Sequence, residues 1–420
     1  EELAAFCHFG PNTFNNTEWG DYGNKTAEQV FTLSENFDAV TLVETLKEAG
    51  FKKLIVTAKH HDGFCIWNSE YTDFDVAATS YKGGQGDILA EISEACSDAD
   101  MDMGLYLSPW DVNASSYGYY DAAGNPLVDS NGNPLNGMNW KEVEEADVED
   151  YNEYYNNQLK EILSNDQYGN KGKFVEVWMD GAKGSGQDAQ NYDFTTWFET
   201  IQEYEGKKAN RDADCMLFGA QAYTTVRWIG NEEGTADKNT WSKSRVNEAE
   251  NTINSNTQGK HTVGFADGNK WTVPEADARI TSGWFWAPSR KTPKSIEELG
   301  NMYFNSVGHN ATLLLNVPPN NQGTVDAAIL ERVEEFGENI KKSFAVNMAS
   351  MNGASVKASK VRGNSKSFGP GKTVDGDDST YWTTNDGETS GQLLIDLGSE
   401  KRFDVVSIEE AIQNGQHINS

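Results

Sequence analysis

The stretch "FVEVWMDGAKGSG", residues 174 to 186, opens as an apolar strand and ends in small residues, with Asp180 and Gly181 where the chain turns away. Side chains alternate along a strand, so Glu176, Trp178 and Asp180 share one face while Val175, Val177 and Met179 share the other. The apolar trio is expected to face covering helices. The other three then point into a barrel, with Asp180 uppermost. A strand-terminal Asp followed by Gly also fits a turn or helix cap, so both readings stand at this level.

Similar apolar runs, each ending in polar or aromatic residues, lie on both sides of this one: "LAAFCHFG", "KKLIVTAKHH", "MGLYLSPW", "MLFGAQ", "TVRWIGNE", "RITSGWFW" and "ATLLLNVP". Helix-period segments sit between several of them, among them "FDAVTLVETLKEAG", "ILAEISEACSDA", "VEDYNEYYNNQLKEILS", "FTTWFETIQEY" and "SIEELGNMYFNSVG". Strands alternating with such helices indicate βαβ units and a parallel sheet. Eight of them before residue 320 predict a (β/α)8 barrel. The barrel is expected to be irregular, because "MLFGAQ" and "TVRWIGNE" lie too close for a helix and residues 234–264 read as a long polar loop. A second long loop, residues 113–139, is dense in Gly, Asn, Pro and Tyr and is expected to overhang the barrel mouth.

The texture changes after "VDAAILERVEEFGENIKKS". From "FAVNMASMNGASV" onward, "GQLLIDLG" and "RFDVVSIEEAI" predict short strands between Gly, Ser and Asp turns. The expected organisation is a catalytic (β/α)8-type barrel over residues 1–343 and an antiparallel β-sandwich over 344–420, too short to be complete.

A chain of 420 residues with 37% hydrophobic and 11% aromatic content can bury a large core. Its 65 acidic and 34 basic residues give a net charge of −31, spread along the chain, which repels nucleic acid and anionic membrane surfaces. A neutral ligand such as a sugar is not disfavoured. Cys7, Cys65, Cys96 and Cys215 are isolated, so neither a disulfide framework nor a zinc knuckle is signalled. No uninterrupted apolar run is long enough for membrane insertion. The sequence enters its first apolar run almost at once, so a signal peptide would lie outside it.

Reactive residues of such barrels sit at the C-terminal ends of the strands. Three of the six histidines, His8, His60 and His61, end two of the expected strands. They fit either hydrogen-bonding groups for hydroxyls or metal ligands; "HFG" and "HHDG" lack the spaced HxH pattern of barrel metallohydrolases. Glu18 and Trp19 lie just beyond the first strand, and Trp110, Trp178, Trp228, Trp284 and Trp286 also fall at strand ends. A mouth rich in indole and carboxylate suits a sugar ring, whose C–H face packs on the aromatic while its hydroxyls take hydrogen bonds. A glycosidase needs two carboxyl groups across the scissile bond. Asp180 supplies one. In "VRWIGNEEG", Glu232 shares the parity of Val226 and Trp228 and is the better candidate for the second, with solvated loop glutamates as the alternative for this pair.

The motifs "FCHFGPNTFNNTEWG", "TAKHHDGFCIWNSEYTDFDV", "GLYLSPW", "VEVWMDGA" and "RWIGNEEG", in this order, closely resemble the α-L-fucosidases of glycoside hydrolase family 29, over roughly residues 3 to 335. The resemblance implies a retaining exo-glycosidase without metal or cofactor, in which Asp180 is the nucleophile. It implies that His8, Glu18, Trp19, His60, His61 and Trp178 surround the fucose, with Trp284 near its methyl group. "RWIGNE" resembles the subfamily acting on α-1,3- and α-1,4-fucosylated, Lewis-type glycans, which assigns acid/base duty to Glu232. Residues from about 347 are similar to the discoidin-like sandwich that follows the barrel there. The implied partners are fucosylated oligosaccharides or glycoconjugates, and the expected setting is extracellular or cell-surface, in a bacterium. Two rival functions are a non-catalytic carbohydrate-binding protein and a metal-dependent barrel hydrolase using His8, His60, His61 and Asp180.

Overall fold

A computed structural model of the chain describes residues 2–23, 25–114, 116–118, 151–181, 190, 192–205 and 215–418. Eight parallel strands close into a barrel in sequence order: β1 Leu3–Cys7, β2 Lys53–Lys59, β3 Asp102–Leu107, β4 Glu176–Trp178, β5 Met216–Phe218, β6 Val226–Trp228, β7 Val273–Arg279 and β8 Thr312–Asn316. Registers such as Ala4 with Lys53, Gly104 with Glu176 and Leu3 with Leu313 carry the ladder round to closure. Helices Ala39–Ala49, Ile88–Ala99, Tyr151–Leu163, Phe194–Glu205 and Ile296–Ser306 coincide with the expected helical segments to within a few residues. Their start signals are ordinary: Asp38 and Asp87 each accept a backbone N–H of the first turn, and Ser295 forms a capping box with Glu298.

The lumen is packed by alternate residues, including Ala4, Phe6, Ile55, Tyr106, Trp178, Phe218, Val226 and Leu314. Trp178 thus faces inward, as the alternation in its strand requires, while Val177 is buried on the other face. Lower in the barrel, buried Lys53 pairs with Glu176 and lies 3.8 Å from Glu275. A register shift in β2 between Thr57 and Lys59 has a further consequence. Strict alternation from Lys53 would turn Lys59 inward and His60 outward; the bulge reverses them. Lys59 instead meets Asp111 at 3.0 Å and Gln158 at 2.8 Å beneath the rings of Tyr151, Tyr154 and Tyr155, and the His60 ring lies at 5.8 Å from that of Tyr106, inside the mouth.

The seventh strand departs from expectation. It is "VPEADAR", and "RITSGWFW" forms the loop after it. Pro274 and two carboxyls hide this segment from a search for apolar runs, yet Glu275 and Asp277 are buried, each accepting an indole N–H from Trp178 or Trp228, while burial raises their pKa values. Residues 234–264 are not one polar loop either. They hold Lys243–Asn247 and Thr252–Asn254, which form a three-stranded antiparallel sheet with Lys270–Trp271, and a short pair, Thr257–Gln258 with His261–Thr262. Most of the loop expected to overhang the mouth, residues 113–139, lies outside the described residues. Among those described, no helix is long and apolar enough to cross a membrane.

The chain divides into two compact units, Glu1–Phe336 and Gly337–Ser420. In the second, Ser355–Ala358 pairs antiparallel with Leu393–Asp396, and 3-10 turns occupy much of the remainder. "RFDVVSIEEAI", expected as a strand, is irregular, and Val406 and Ile408 within it are exposed.

Candidate active site

One wall of the mouth is built by β1 to β4. His8 is buried, its Nδ1 2.8 Å from Asn316 Oδ1, and its ring meets those of Phe6, His60 and Trp284. His60 and His61 are buried side by side with ring centroids 4.1 Å apart, and His61 Nδ1 lies 2.7 Å from Ser108 Oγ. Burial pushes the pKa of all three below the ordinary imidazole value, that of His8 down to about 3. Near neutral pH they are uncharged rings that can donate and accept hydrogen bonds, which suits hydroxyls.

Asp180 follows β4, where its alternation puts it at the lip. Its Oδ2 accepts the Tyr106 hydroxyl at 3.0 Å and lies 3.8 Å from His61 Nε2. Burial and the Asp180 charge raise the Tyr106 phenol well above its ordinary value, so it remains a donor to that carboxylate. Below, Trp178 stacks between Phe218 at 3.7 Å and Tyr106 at 5.4 Å and donates its indole N–H to Glu275 at 2.9 Å.

The opposite wall comes from β6 and β7. After β6 the chain turns at Gly230, whose φ of 102° and the Lys260 carbonyl 2.9 Å from the position of a Cβ both require glycine. The next residues separate the two glutamates. Glu233 pairs with exposed Lys260, whereas Glu232 Oε2 accepts the Trp284 indole N–H at 3.3 Å and lies 3.8 Å from the Arg279 guanidinium. Arg279 also sits over the Trp284 ring at 5.4 Å. Asp277, buried on β7, has its pKa pushed up to about 7 by burial, with the charges of Glu232 and Asp180 adding to the rise.

Glu18 bridges to this region from beyond β1. It pairs with Arg290 at 2.9 Å and accepts the Trp284 backbone N–H at 2.7 Å, while burial raises its pKa. Trp19 is 63% exposed and meets the rings of His61 and Trp110 edge-on. His8, Glu18, Trp19, His60, His61, Trp178, Asp180, Glu232 and Trp284 are thus linked by contacts at one mouth, whereas Trp286, one of the strand-end tryptophans, is buried and donates to Asp326 at 2.8 Å.

Sequence reasoning passed over Tyr106, Asn316, Asp277, Arg279 and Arg290. Tyr106 carried a signal: in "MGLYLSPW" it is the last inward-facing residue of the third strand. The others are assembled by contacts across the barrel, for which the local pattern has no sign. Among the described residues, no three His, Cys, Asp or Glu side chains converge as a metal-binding group.

A closed parallel barrel with paired carboxyls and indoles at its mouth is the framework of a glycoside hydrolase. The alpha-L-fucosidase family profile matches residues 5–343. Alpha-L-fucosidase 1 of Arabidopsis thaliana is 36% identical over 419 residues, which span 100% of this chain and 73% of that protein. The structure of a Ruminococcus gnavus GH29 fucosidase in complex with fucose is similar with a TM-score of 0.91 and 67% identity, covering 99% of this chain and 80% of that one. The crystal structure of SpGH29 has a TM-score of 0.77 at 40% identity, covering 95% of this chain and 79% of the other. The chain belongs to the α-L-fucosidases of glycoside hydrolase family 29.

Proposed function

We propose that the protein is a retaining exo-α-L-fucosidase that releases L-fucose from α-1,3/1,4-fucosylated, Lewis-type glycans by double displacement. Asp180 attacks the anomeric carbon while Glu232 donates a proton to the departing oxygen; Glu232 then takes a proton from the water that cleaves the ester, and fucose leaves with its configuration retained. His8, Glu18, Trp19, His60, His61, Trp178 and Trp284 hold the sugar. The observation that carries this reading is the pair of carboxyls that follow β4 and β6, Asp180 held by Tyr106 beside His61 and Glu232 held by the Trp284 indole, at a mouth lined by buried imidazoles and indoles.

Tyr106 holds the Asp180 carboxylate in one orientation, and Trp284 and Arg279 do the same for Glu232. Fixed groups of this kind need no reorganisation as charge moves in the transition state. The α-1,3/1,4 preference rests on the "RWIGNE" turn carrying Glu232. Residues from about 347 are read as the beginning of a discoidin-like β-sandwich, supported by the antiparallel pair in that unit. Acidity, substrate class and this appended unit support an extracellular or cell-surface bacterial setting.

Proton NMR of the first-released fucose tests the stereochemistry: the α-anomer supports double displacement, and initial β-anomer overturns it. Fucosylated oligosaccharides with α-1,2, α-1,3 and α-1,4 linkages, assayed side by side, test the linkage. Preferred cleavage of the α-1,2 compound removes the subfamily assignment.

A further inference from the structure

Trp228 ends β6 with the same inward parity as Val226. Its surroundings differ from those of every other indole at the mouth. Trp178 is 6% exposed; Trp228 is 40% exposed. Trp19, Trp110, Trp178 and Trp284 each pack against other rings, but among the described residues no aromatic ring packs on Trp228. An indole left open in this way still loses its freedom, because its N–H donates to Asp277 Oδ1 at 2.7 Å, while the Trp228 backbone carbonyl, which accepts the Thr262 hydroxyl at 2.6 Å, fixes the main chain beneath it. The ring is anchored at its polar end inside the barrel and, at 40% exposed, carries no other aromatic ring among the described residues.

Asp277 is informative for its cost. A carboxyl at a buried lumen position, close to two other carboxylates, is desolvated and repelled, and an apolar residue would avoid both penalties. What the carboxyl gains is the Trp228 N–H. The ring so fixed stands four residues before Glu232 on the same strand end, in the sector opposite the histidine wall that takes the fucose. An acid that protonates a departing oxygen faces the sugar attached to that oxygen.

We propose that Trp228 is the platform for the sugar that carries the fucose, and that Asp277 is the positioning residue that holds the platform in place. The C–H face of a pyranose packs on the open indole while Glu232 reaches the bridging oxygen. This inference rests on the fucosidase reading above, and specifically on Glu232 being the acid.

The test compares fucosyl fluoride, which has no leaving sugar, with an α-1,4-fucosylated trisaccharide. In Trp228→Ala, kcat/KM for the trisaccharide is expected to fall about tenfold further than kcat/KM for fucosyl fluoride, mostly through KM. Asp277→Leu is expected to show the same split, and Asp277→Asn, whose amide oxygen can still accept the indole N–H, to restore much of the trisaccharide activity. Trp228→Phe keeps an aromatic face without the anchor and should fall in between. Equal losses on both substrates in Trp228→Ala and Asp277→Leu overturn the proposal, as does no loss on either. Should the unaltered protein leave fucosyl fluoride uncleaved, the fucosidase reading itself has failed, a result distinct from the absence of a split between substrates.

Discussion

The two walls of the mouth are built on different principles. On the β1 to β4 side the rings are buried, uncharged and packed on one another around the Asp180 carboxylate: the His61 side chain is 4% exposed, and Asp180 beside it is 27% exposed. On the β6 and β7 side the groups at the rim are open or charged: Glu232 is 49% exposed, Arg279 is 32% exposed, and Trp228 is 40% exposed. The backbone differs too. Helices return the chain between the strands of the first wall, whereas β6 and β7 of the second are joined through antiparallel hairpins. A rigid, dry wall suits a sugar that is the same in every substrate, because its hydrogen bonds can be set in advance. An open wall suits a leaving group of variable size.

This contrast can be broken most directly at Asp180. Asp180→Gly is expected to lower kcat/KM on the order of 10⁴-fold or more, for fucosides with good and poor leaving groups alike, and azide is expected to restore turnover of an activated aryl fucoside as fucosyl azide. Full activity without azide would remove Asp180 from the mechanism. Glu232→Ala should behave unequally: a loss of about 10² to 10⁴-fold on oligosaccharides and a much smaller one on aryl fucosides, whose leaving groups need little protonation. Equal losses on both would take the acid role away from Glu232.

A smaller effect sharpens the first wall. Tyr106→Phe deletes one hydrogen bond to a carboxylate, worth about 1.5–3 kcal/mol, so a drop of roughly ten- to a hundredfold in kcat with little change in KM is expected from steady-state kinetics. The smallest effect is on stability. Burial holds the folded-state pKa of His8 down to about 3, against an ordinary imidazole value of 6.5, so its contribution is whole above about pH 6.5 and is lost as pH falls from there towards 3, a range in which only the unfolded chain takes up the proton. Asp277, raised from 3.8 to about 7, runs the other way: its contribution is whole below about pH 4 and fades as pH rises through 7. Melting temperatures followed across pH should therefore fall on both sides of a maximum, and in His8→Leu the acid-side fall should be shallower.

The sequence exposed the first wall more fully than the second. "LAAFCHFG", "KKLIVTAKHH" and "FVEVWMDG" end on the residues that reach the mouth because apolar period-two runs mark where each strand stops. Even there the bulge that turns His60 inward and Lys59 outward left no local mark. On the other side β7 stayed hidden, because its inward residues are carboxylates and its partners, Lys53, Trp178 and Trp228, are far away in the chain. The hairpins between β6 and β7 were read as loop for a similar reason. Their strands are two to five residues long and mostly exposed, so burial imposes little pattern on them.

By itself, the sequence determined the closed parallel barrel, its helices and the residues that end most of its strands, since all of these follow from the spacing of apolar side chains along the chain. Only the tertiary structure decided which charges the interior can hold and which groups meet across the mouth. The reason is physical: a buried carboxylate such as Asp277 is tolerated because an indole from another strand donates to it. Strand periodicity records which way a side chain points, and it carries no record of what it will find there.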